Sequence, residues 1–281
     1  MYISVVICTR NRAAALKRCL AALYTVDFEG TWEILVIDNN SSDNTQRIIA
    51  EMQQLCPVPF RSLVELVPGN SAGRNTAVDS AQGEVVFFTD DDCIVERTVL
   101  RELWRVFEDR RIGFAGGRIL LFNPRDFPIS LMEETKPIEI PPGTIVYPGL
   151  VQGSNMAFRR KALVELGGFD VLFGAGAAFA GEDLELATRA SLRGWHGGYF
   201  PGPTVYHDHG RDRAKAMASE RQYDFGIGAY YAKFLLNSTT RWICVLTWCR
   251  RSLKQLFRHP LGLHRQLAGA ICYARLRGSH A

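Results

Sequence analysis

Glu84-Val85-Val86-Phe87-Phe88-Thr89-Asp90-Asp91-Asp92 sets three adjacent carboxylates directly behind an apolar run. Val-Val-Phe-Phe reads as a short strand buried on both faces, because β-branched and aromatic side chains suit a pleated core. The aspartates then emerge together at the strand's carboxyl end, the edge where open α/β sheets bind ligands. Adjacent like charges repel, and each carboxylate is costly to desolvate unless a cation compensates it. Hard oxygen ligands favour Mg2+ or Mn2+, ions that usually bring a substrate phosphate with them. Taken alone, the tripeptide equally fits a solvated acidic turn capping a helix that begins near Arg97.

The sequence on either side supports the first reading. Residues 3–8 (Ile-Ser-Val-Val-Ile-Cys) form a second buried strand, followed by the basic loop Thr9-Arg10-Asn11-Arg12 and an Ala/Leu-rich helix to about Tyr24. A strand over residues 33–38 ends in Asn39-Asn40-Ser41-Ser42-Asp43, a turn and N-cap cluster that opens a helix over 45–55. A weaker strand at 60–66 precedes Pro68-Gly69-Asn70 and a short helix to Ala81. Strand and helix thus alternate through the first part of the chain, the pattern of a parallel sheet with helices on both faces. Past residue 110, Gly- and Pro-rich pieces separate short strands at 118–122 and 151–158 and helices over 159–166 and 183–193. After His209 the chain reads as helical to its end, with a break near His259-Pro260.

The 281 residues are 47% hydrophobic and 22% charged, an ordinary globular composition that excludes disorder. The strand that starts directly after Met1-Tyr2 leaves no room for a signal peptide, and no stretch reaches the roughly 18 apolar residues of a spanning helix. Seven scattered cysteines without a C-x-x-C pair fit reduced, buried thiols in a cytoplasmic protein. The net charge of +4 is unevenly divided: the last acid is Asp224, and beyond it stand nine Lys or Arg. An acidic body therefore carries a cationic tail, which suits an anionic membrane surface. Nucleic acid, the other polyanion such a tail attracts, is set aside because no reading motif accompanies the charge.

Asp38, Asp90–Asp92, Thr9, Arg10 and Asn70 all follow strand ends and converge on one crevice. An acid that ends the second strand is placed to accept hydrogen bonds from a ribose or a base. No G-x-G-x-x-G follows the first strand and no G-x-x-x-x-G-K-[ST] occurs, which argues against a dehydrogenase and a P-loop enzyme. A diphosphate here must be held by metal and side chains.

Six pieces in order, Thr9-Arg10-Asn11-Arg12, Ile37 through Thr45, Gly73-Arg74-Asn75, Asp90-Asp91-Asp92, Gly153 through Arg160 with Gly167-Gly168-Phe169-Asp170, and Gly181-Glu182-Asp183-Leu184-Glu185, resemble a family-2 inverting glycosyltransferase of GT-A fold. The resemblance spans roughly residues 3–209. It implies an α/β GT-A fold with a mostly parallel sheet and a catalytic domain at 1–210 (nucleotide-binding half 1–110, acceptor-binding half 111–210); the basic helical extension at 211–281, read from its own charge and spacing, lies outside the resemblance. It further implies metal-dependent sugar transfer, with Mg2+ or Mn2+, from a nucleotide-diphosphate sugar to a hydroxyl of a glycan or lipid-linked acceptor. Asp38 would contact base or ribose, Asp90 ribose and metal, and Asp92 the metal. Thr9, Arg10, Arg12, Asn70, Arg74 and Asp91 complete the donor side.

Asp183 matches the family's catalytic base. Independently, it opens a helix, where a carboxylate is stabilised, and inversion needs one carboxylate to take the acceptor's proton. The bland alternative for Glu182-Asp183-Leu184-Glu185 is an exposed acidic first turn. In Tyr206-His207-Asp208-His209, a strand would turn both histidines to one side; the resemblance implies a histidine ligand of metal or diphosphate near this point, His207 in preference to His209, while either equally fits a hydrogen-bonded residue at a strand end. Arg74 fits either a diphosphate fork donor or a structural ion pair. Arg10 and Arg211 are further diphosphate candidates.

In the tail, Trp242, Val245, Leu246, Cys249, Leu253, Leu256 and Phe257 fall at helical spacing, with Arg250, Arg251, Lys254 and Arg258 largely elsewhere. This stripe suits either a membrane interface at the inner face or packing on the body or a twin subunit. Two rival functions remain: a sugar-phosphate nucleotidyltransferase, and a non-catalytic nucleotide-sugar-binding scaffold. The first ordinarily has a Gly-rich loop after its first strand, and Cys8-Thr9-Arg10-Asn11-Arg12 has no glycine; intact Asp183 beside Asp90–Asp92 speaks against the second.

Overall fold

The computed structural model describes residues 2–256 and 260–278. The amino-terminal part runs β1 (Ile3–Thr9), α1 (Ala13–Leu23), β2 (Trp32–Asp38), α2 (Thr45–Leu55), β3 (Phe60–Val64), α3 (Asn70–Ser80) and β4 (Val85–Asp90). Next come β5 (Cys93–Val95), α4 (Val99–Glu108), β6 (Ile112–Leu121), β7 (Ile138–Ile140), β8 (Asn155–Arg159), α5 (Arg160–Leu166), α6 (Glu182–Leu192) and β9 (His196–His207). Three helices close the described chain: α7 (Arg213–Leu235), α8 (Arg241–Leu256) and α9 (Pro260–Gly278).

All nine strands join one sheet of order β3-β2-β1-β4-β8-β6-β9-β5, with β7 added on β9. β1 to β4 are parallel; β1, β2 and β4 carry apolar runs buried on both faces, while β3 at the edge alternates, and Val85 to Phe88 are fully buried between two core clusters on the two sheet faces. Pairing in register sets Thr9 opposite Asp38 and Cys8 opposite Asp90, so three strand ends form one edge. β8 runs antiparallel to both β4 and β6, which makes the sheet mixed rather than wholly parallel.

The second half differs from the sequence reading. β6 begins at Ile112, β8 begins at Asn155, and β5, β7 and the twelve-residue β9 were not foreseen. β5 and β7 are three residues long, too short to show a period, and the glycines of β6 and β9 hide the apolar alternation that marks a strand. At Gly197, for example, a Cβ would stand 2.3 Å from the Phe114 ring, so the position is a packing surface without a side chain.

The tail packs on the body through equally close contacts. A Cβ at Gly228 on α7 would meet the Gln266 carbonyl of α9 at 1.7 Å, and one at Gly269 would meet the Phe225 carbonyl at 1.9 Å. Tyr273 of α9 is buried against Phe173 and Phe179, and Trp248 of α8 stacks on Tyr231 with ring centroids 5.3 Å apart. Packing and an outward apolar face coexist. Cys244 and Trp248 turn toward α7, while Trp242, Leu246, Cys249 and Leu253 of the expected stripe are exposed. Cys249 thus departs from the expectation of buried thiols. Phe257 and Arg258, which carried part of that reading, and His259 of the expected helix break lie outside the described residues. Among the described residues, no helix is long and apolar enough to cross a membrane.

Candidate active site

A cavity of about 730 Å³ opens at the carboxyl edge of the sheet, walled by the ends of β1 and β4, the start of α3, the start of α6 and one face of α7. At its floor the three aspartates diverge. Asp91 turns inward, accepting a hydrogen bond from Thr9 Oγ1 at 2.6 Å and an ion pair from Arg12 Nε at 2.7 Å. Burial pushes its carboxyl pKa up to about 7, against the pull of Arg12 and Thr9. Asp92 meets Arg12 Nη2 at 2.6 Å through one oxygen and His207 Nε2 at 3.3 Å through the other. Burial acts to raise its pKa, but His207 and Arg12 outweigh that and hold it below the usual range. Asp90 faces the cavity, 3.4 Å from Arg74 Nη2, and burial raises its pKa despite Arg74.

Arg74 is itself buried. Its Nη1 donates to Glu182 Oε1 at 2.6 Å and its Nη2 to the Gly153 carbonyl at 3.2 Å, while Phe88 and Phe169 cover its faces. The guanidinium therefore ties the end of β4 to the start of α6, and its fork is engaged within the protein rather than presented to a diphosphate. Beside it, Asp183 Oδ2 accepts from the Gly153 amide at 2.8 Å and Oδ1 from the Leu184 amide at 2.7 Å. Burial, reinforced by the charge of Glu182, pushes the Asp183 carboxyl up to about 7. A carboxylate with that pKa, half-buried and facing a cavity, is equipped to accept a proton near neutral pH.

The cavity brings together Thr9, Arg10, Arg12, Asn70, Arg74, Asp90, Asp91, Asp92, Asp183 and His207. Asp38 stands outside the wall. Its carboxylate is buried, accepting from the Ser41 amide at 3.0 Å and from Gln46 Nε2 at 3.1 Å, and the adjacent Asn39 reaches the cavity instead. β9 ends at His207, so the two histidines do not share a strand face. His209 Nδ1 accepts from the Arg211 amide at 3.0 Å and lies 3.6 Å from Asp126, leaving His207 at Asp92.

Among the described residues, the donor atoms of Asp92, His207 and Cys93 lie within 4.8 Å of one another; Asp90, expected as a metal ligand, is not in this cluster. Five carboxylates (Asp90, Asp91, Asp92, Glu182 and Asp183) line the cavity with four guanidinium groups, of which Arg12 and Arg74 are ion-paired to all but Asp183 and Arg10 and Arg211 stand apart. That surplus, with an imidazole at Asp92, fits a divalent cation.

Ser219, Gln222, Tyr223 and Ile227 of α7 also line the cavity, as do Ile129, Ser130 and Leu131. Sequence reasoning missed both groups, since they lie in the tail and in an irregular loop. Glu182 was seen only as a neighbour of Asp183, although its pairing with Arg74 gives it a structural part.

Residues 4–167 match the profile of Glycosyl transferase family 2. The chain is similar to the beta-monoglucosyldiacylglycerol synthase of Trichormus variabilis, 23% identical over 202 residues, covering 69% of this chain and 42% of that protein. It is also similar to the poly(ribitol-phosphate) beta-N-acetylglucosaminyltransferase TarS of Staphylococcus aureus, 27% identical over 138 residues, covering 49% of this chain and 24% of that one. The chain thus spans less than half the length of either relative. Among solved structures, the mannosyltransferase PcManGT of Pyrobaculum calidifontis in complex with GDP-Man and Mn2+ superposes with a TM-score of 0.69 at 21% identity, covering 97% of this chain and 75% of that chain. S. aureus TarS 1-349 in complex with UDP-GlcNAc gives 0.64 at 19% identity, covering 87% and 69%. These likenesses establish the fold.

Proposed function

Because this chain belongs to glycosyl transferase family 2 and has its GT-A fold, we propose that it is a metal-dependent, inverting glycosyltransferase moving a sugar from a nucleotide-diphosphate sugar to a hydroxyl of a glycan or lipid-linked acceptor. The observation that carries the reading is the shared cavity, with a half-buried Asp183 of pKa about 7 lining the same space as the aspartates that end β4.

In this reading Asp92 and His207 hold Mg2+ or Mn2+, with Asp90 beside them toward the ribose. The bound ion supplies neutralisation of the charge on the departing nucleoside diphosphate. Arg10, exposed at the rim, and Arg211, whose buried Nη1 has no hydrogen-bond partner among the described residues, face the same anion. Asn39 and Asn70 line the nucleoside end, with Asp38 shaping the loop behind them. Asp183 Oδ takes the proton of the acceptor hydroxyl as that oxygen attacks the anomeric carbon, and inversion follows from attack opposite the leaving group. Arg74 holds Glu182 and Asp90 and so positions the base.

The division we favour assigns residues 1–110 to the donor, 111–210 to the acceptor, and 211–281 to an extension whose α7 closes the acceptor side through Gln222 and Tyr223. The exposed apolar face of α8, Trp242, Ile243, Leu246 and Leu253, lies in a segment free of acids. It suits an anionic membrane at the inner face, where a lipid-linked acceptor is found. A relative named for making a glucosyldiacylglycerol supports that acceptor class.

The test is nucleoside diphosphate release and nucleotide binding with UDP-glucose, UDP-GlcNAc and GDP-mannose, in Mn2+, Mg2+ or EDTA. Release should require the ion, and Asp92→Asn should lose ion-dependent nucleotide binding while melting like the parent. Full turnover in chelator would remove the metal from the mechanism, and failure to bind any of the three donors would overturn the reading.

A further inference from the structure

Cys93 follows the three aspartates and has no place in the chemistry above. It is fully buried in β5, directly opposite His207 in the antiparallel pairing with β9. Directly opposed residues on antiparallel strands project to the same sheet face, with Cβ atoms about 4.5–5.5 Å apart. The thiol is thus aimed where His207 meets Asp92, and the three donor atoms fall within 4.8 Å of one another. Around one ion, with bonds of roughly 2.0–2.3 Å to O, N and S, such donors stand about 3–4 Å apart, so small side-chain movements close the set. Asp92 and His207 line the cavity and Cys93 lies beneath, so an ion there has protein on one side and open positions toward the donor. Three protein ligands with open positions is the arrangement of a catalytic rather than a structural ion.

We propose that Cys93 is a third protein ligand of the divalent cation, joining Asp92 and His207, and that it turns this site toward borderline ions such as Co2+ and Zn2+ and away from Mg2+. The thiol proton leaves to solvent as the metal–sulfur bond forms, and nothing is oxidised or reduced. A thiolate is a soft donor, and its bond to the heavier ions is stronger than to Mg2+, which prefers oxygen. Cys19, the neighbouring buried thiol, does not join the cluster; its Sγ lies 3.5 Å from the Asp90 carbonyl. The proposal rests on Asp92 and His207 holding an ion, not on any sugar being transferred.

The full-length, metal-free protein is titrated with Co2+ alone and followed by absorption. A sulfur-to-cobalt charge-transfer band should appear in the near ultraviolet together with the visible ligand-field bands. Cys93→Ser should lose the ultraviolet band and keep the visible ones, and its Zn2+ affinity should fall at least about 10-fold while Mg2+ affinity changes little. Cys8→Ala, removing the other thiol at the cavity, should keep the band. Cobalt bound without the band in the parent protein, a band that survives Cys93→Ser, or no cobalt binding at all overturns the proposal. The parent spectrum decides by itself should Cys93→Ser fail to fold. Because the readout needs no nucleotide-sugar, its failure leaves glycosyl transfer standing, and an intact band beside an inactive enzyme leaves the thiolate ligand standing.

Discussion

Replacing Asp183 with Asn should nearly abolish turnover and, relative to the parent, make the fold progressively more stable as pH rises. Burial and Glu182 lift the Asp183 carboxyl from 3.8 to about 7. A raised carboxyl pKa means that the folded state binds the proton more tightly than the unfolded chain does. The stability this contributes is complete below about pH 4 and is lost as pH climbs through 7. Roughly three units at about 1.36 kcal/mol each set an upper bound near 4 kcal/mol, and solvent at a half-buried carboxylate reduces it to about 2 kcal/mol. Asn does not titrate, so the stability difference between variant and parent should move by about 2 kcal/mol in the variant's favour between pH 4.5 and pH 8. Asn retains one acceptor for the Gly153 and Leu184 amides, and losing the other costs about 1 kcal/mol at every pH. Urea unfolding of both proteins across that range reads the shift directly. In parallel, the parent's turnover should rise with pH and level off above about 7, as the base loses its proton. The variant's turnover should be roughly 10²–10⁴-fold lower, with donor affinity within a few-fold. A pH-independent stability difference would refute the environment assigned to Asp183, and undiminished turnover would refute its role as base.

Removing the Arg74 guanidinium (Arg74→Met) strands Glu182 and Asp90, so thermal or urea unfolding should show a loss of about 3–5 kcal/mol, and Arg74→Lys should restore little because one ammonium cannot make the forked contacts. Gly228→Ala drives a methyl into the α9 backbone and should cost at least about 2 kcal/mol in the same assay, whereas Gly278→Ala, whose added methyl meets nothing among the described residues, should be near neutral. Trp242→Ser with Leu246→Ser should weaken flotation with anionic liposomes without lowering the melting temperature, and binding of the parent should fall as salt rises. Parent protein that ignores anionic liposomes at low salt would end the membrane reading.

The parallel half of the sheet was legible because its information is local. Residues 5–8, 34–37 and 85–88 are unbroken apolar runs, the mark of a parallel strand buried on both faces. Their shared carboxyl edge follows, and with it the placing of Thr9 and Asp90 around one crevice; Asp183 at a helix start was legible for the same local reason. Glycine-lined strands such as β9 were not, since their faces are defined by the Phe114 and Trp195 side chains that fill the missing volume from elsewhere in the chain. Direction was equally hidden. Asp38 ends its strand as expected, yet Ser41 and Gln46 hold its carboxylate behind the wall, while Asp91 and Asp92, adjacent in sequence, share Arg12 but otherwise turn to Thr9 and to His207. The pairing of β5 with β9 carries His207 to Asp92 and Cys93, and the glycine crossing of α7 and α9 fixes which face of the tail lines the cavity and which meets solvent. Residue types and local periods mark what can be buried or charged. Only long-range register and backbone approach decide which groups meet, because those depend on segments distant in the chain.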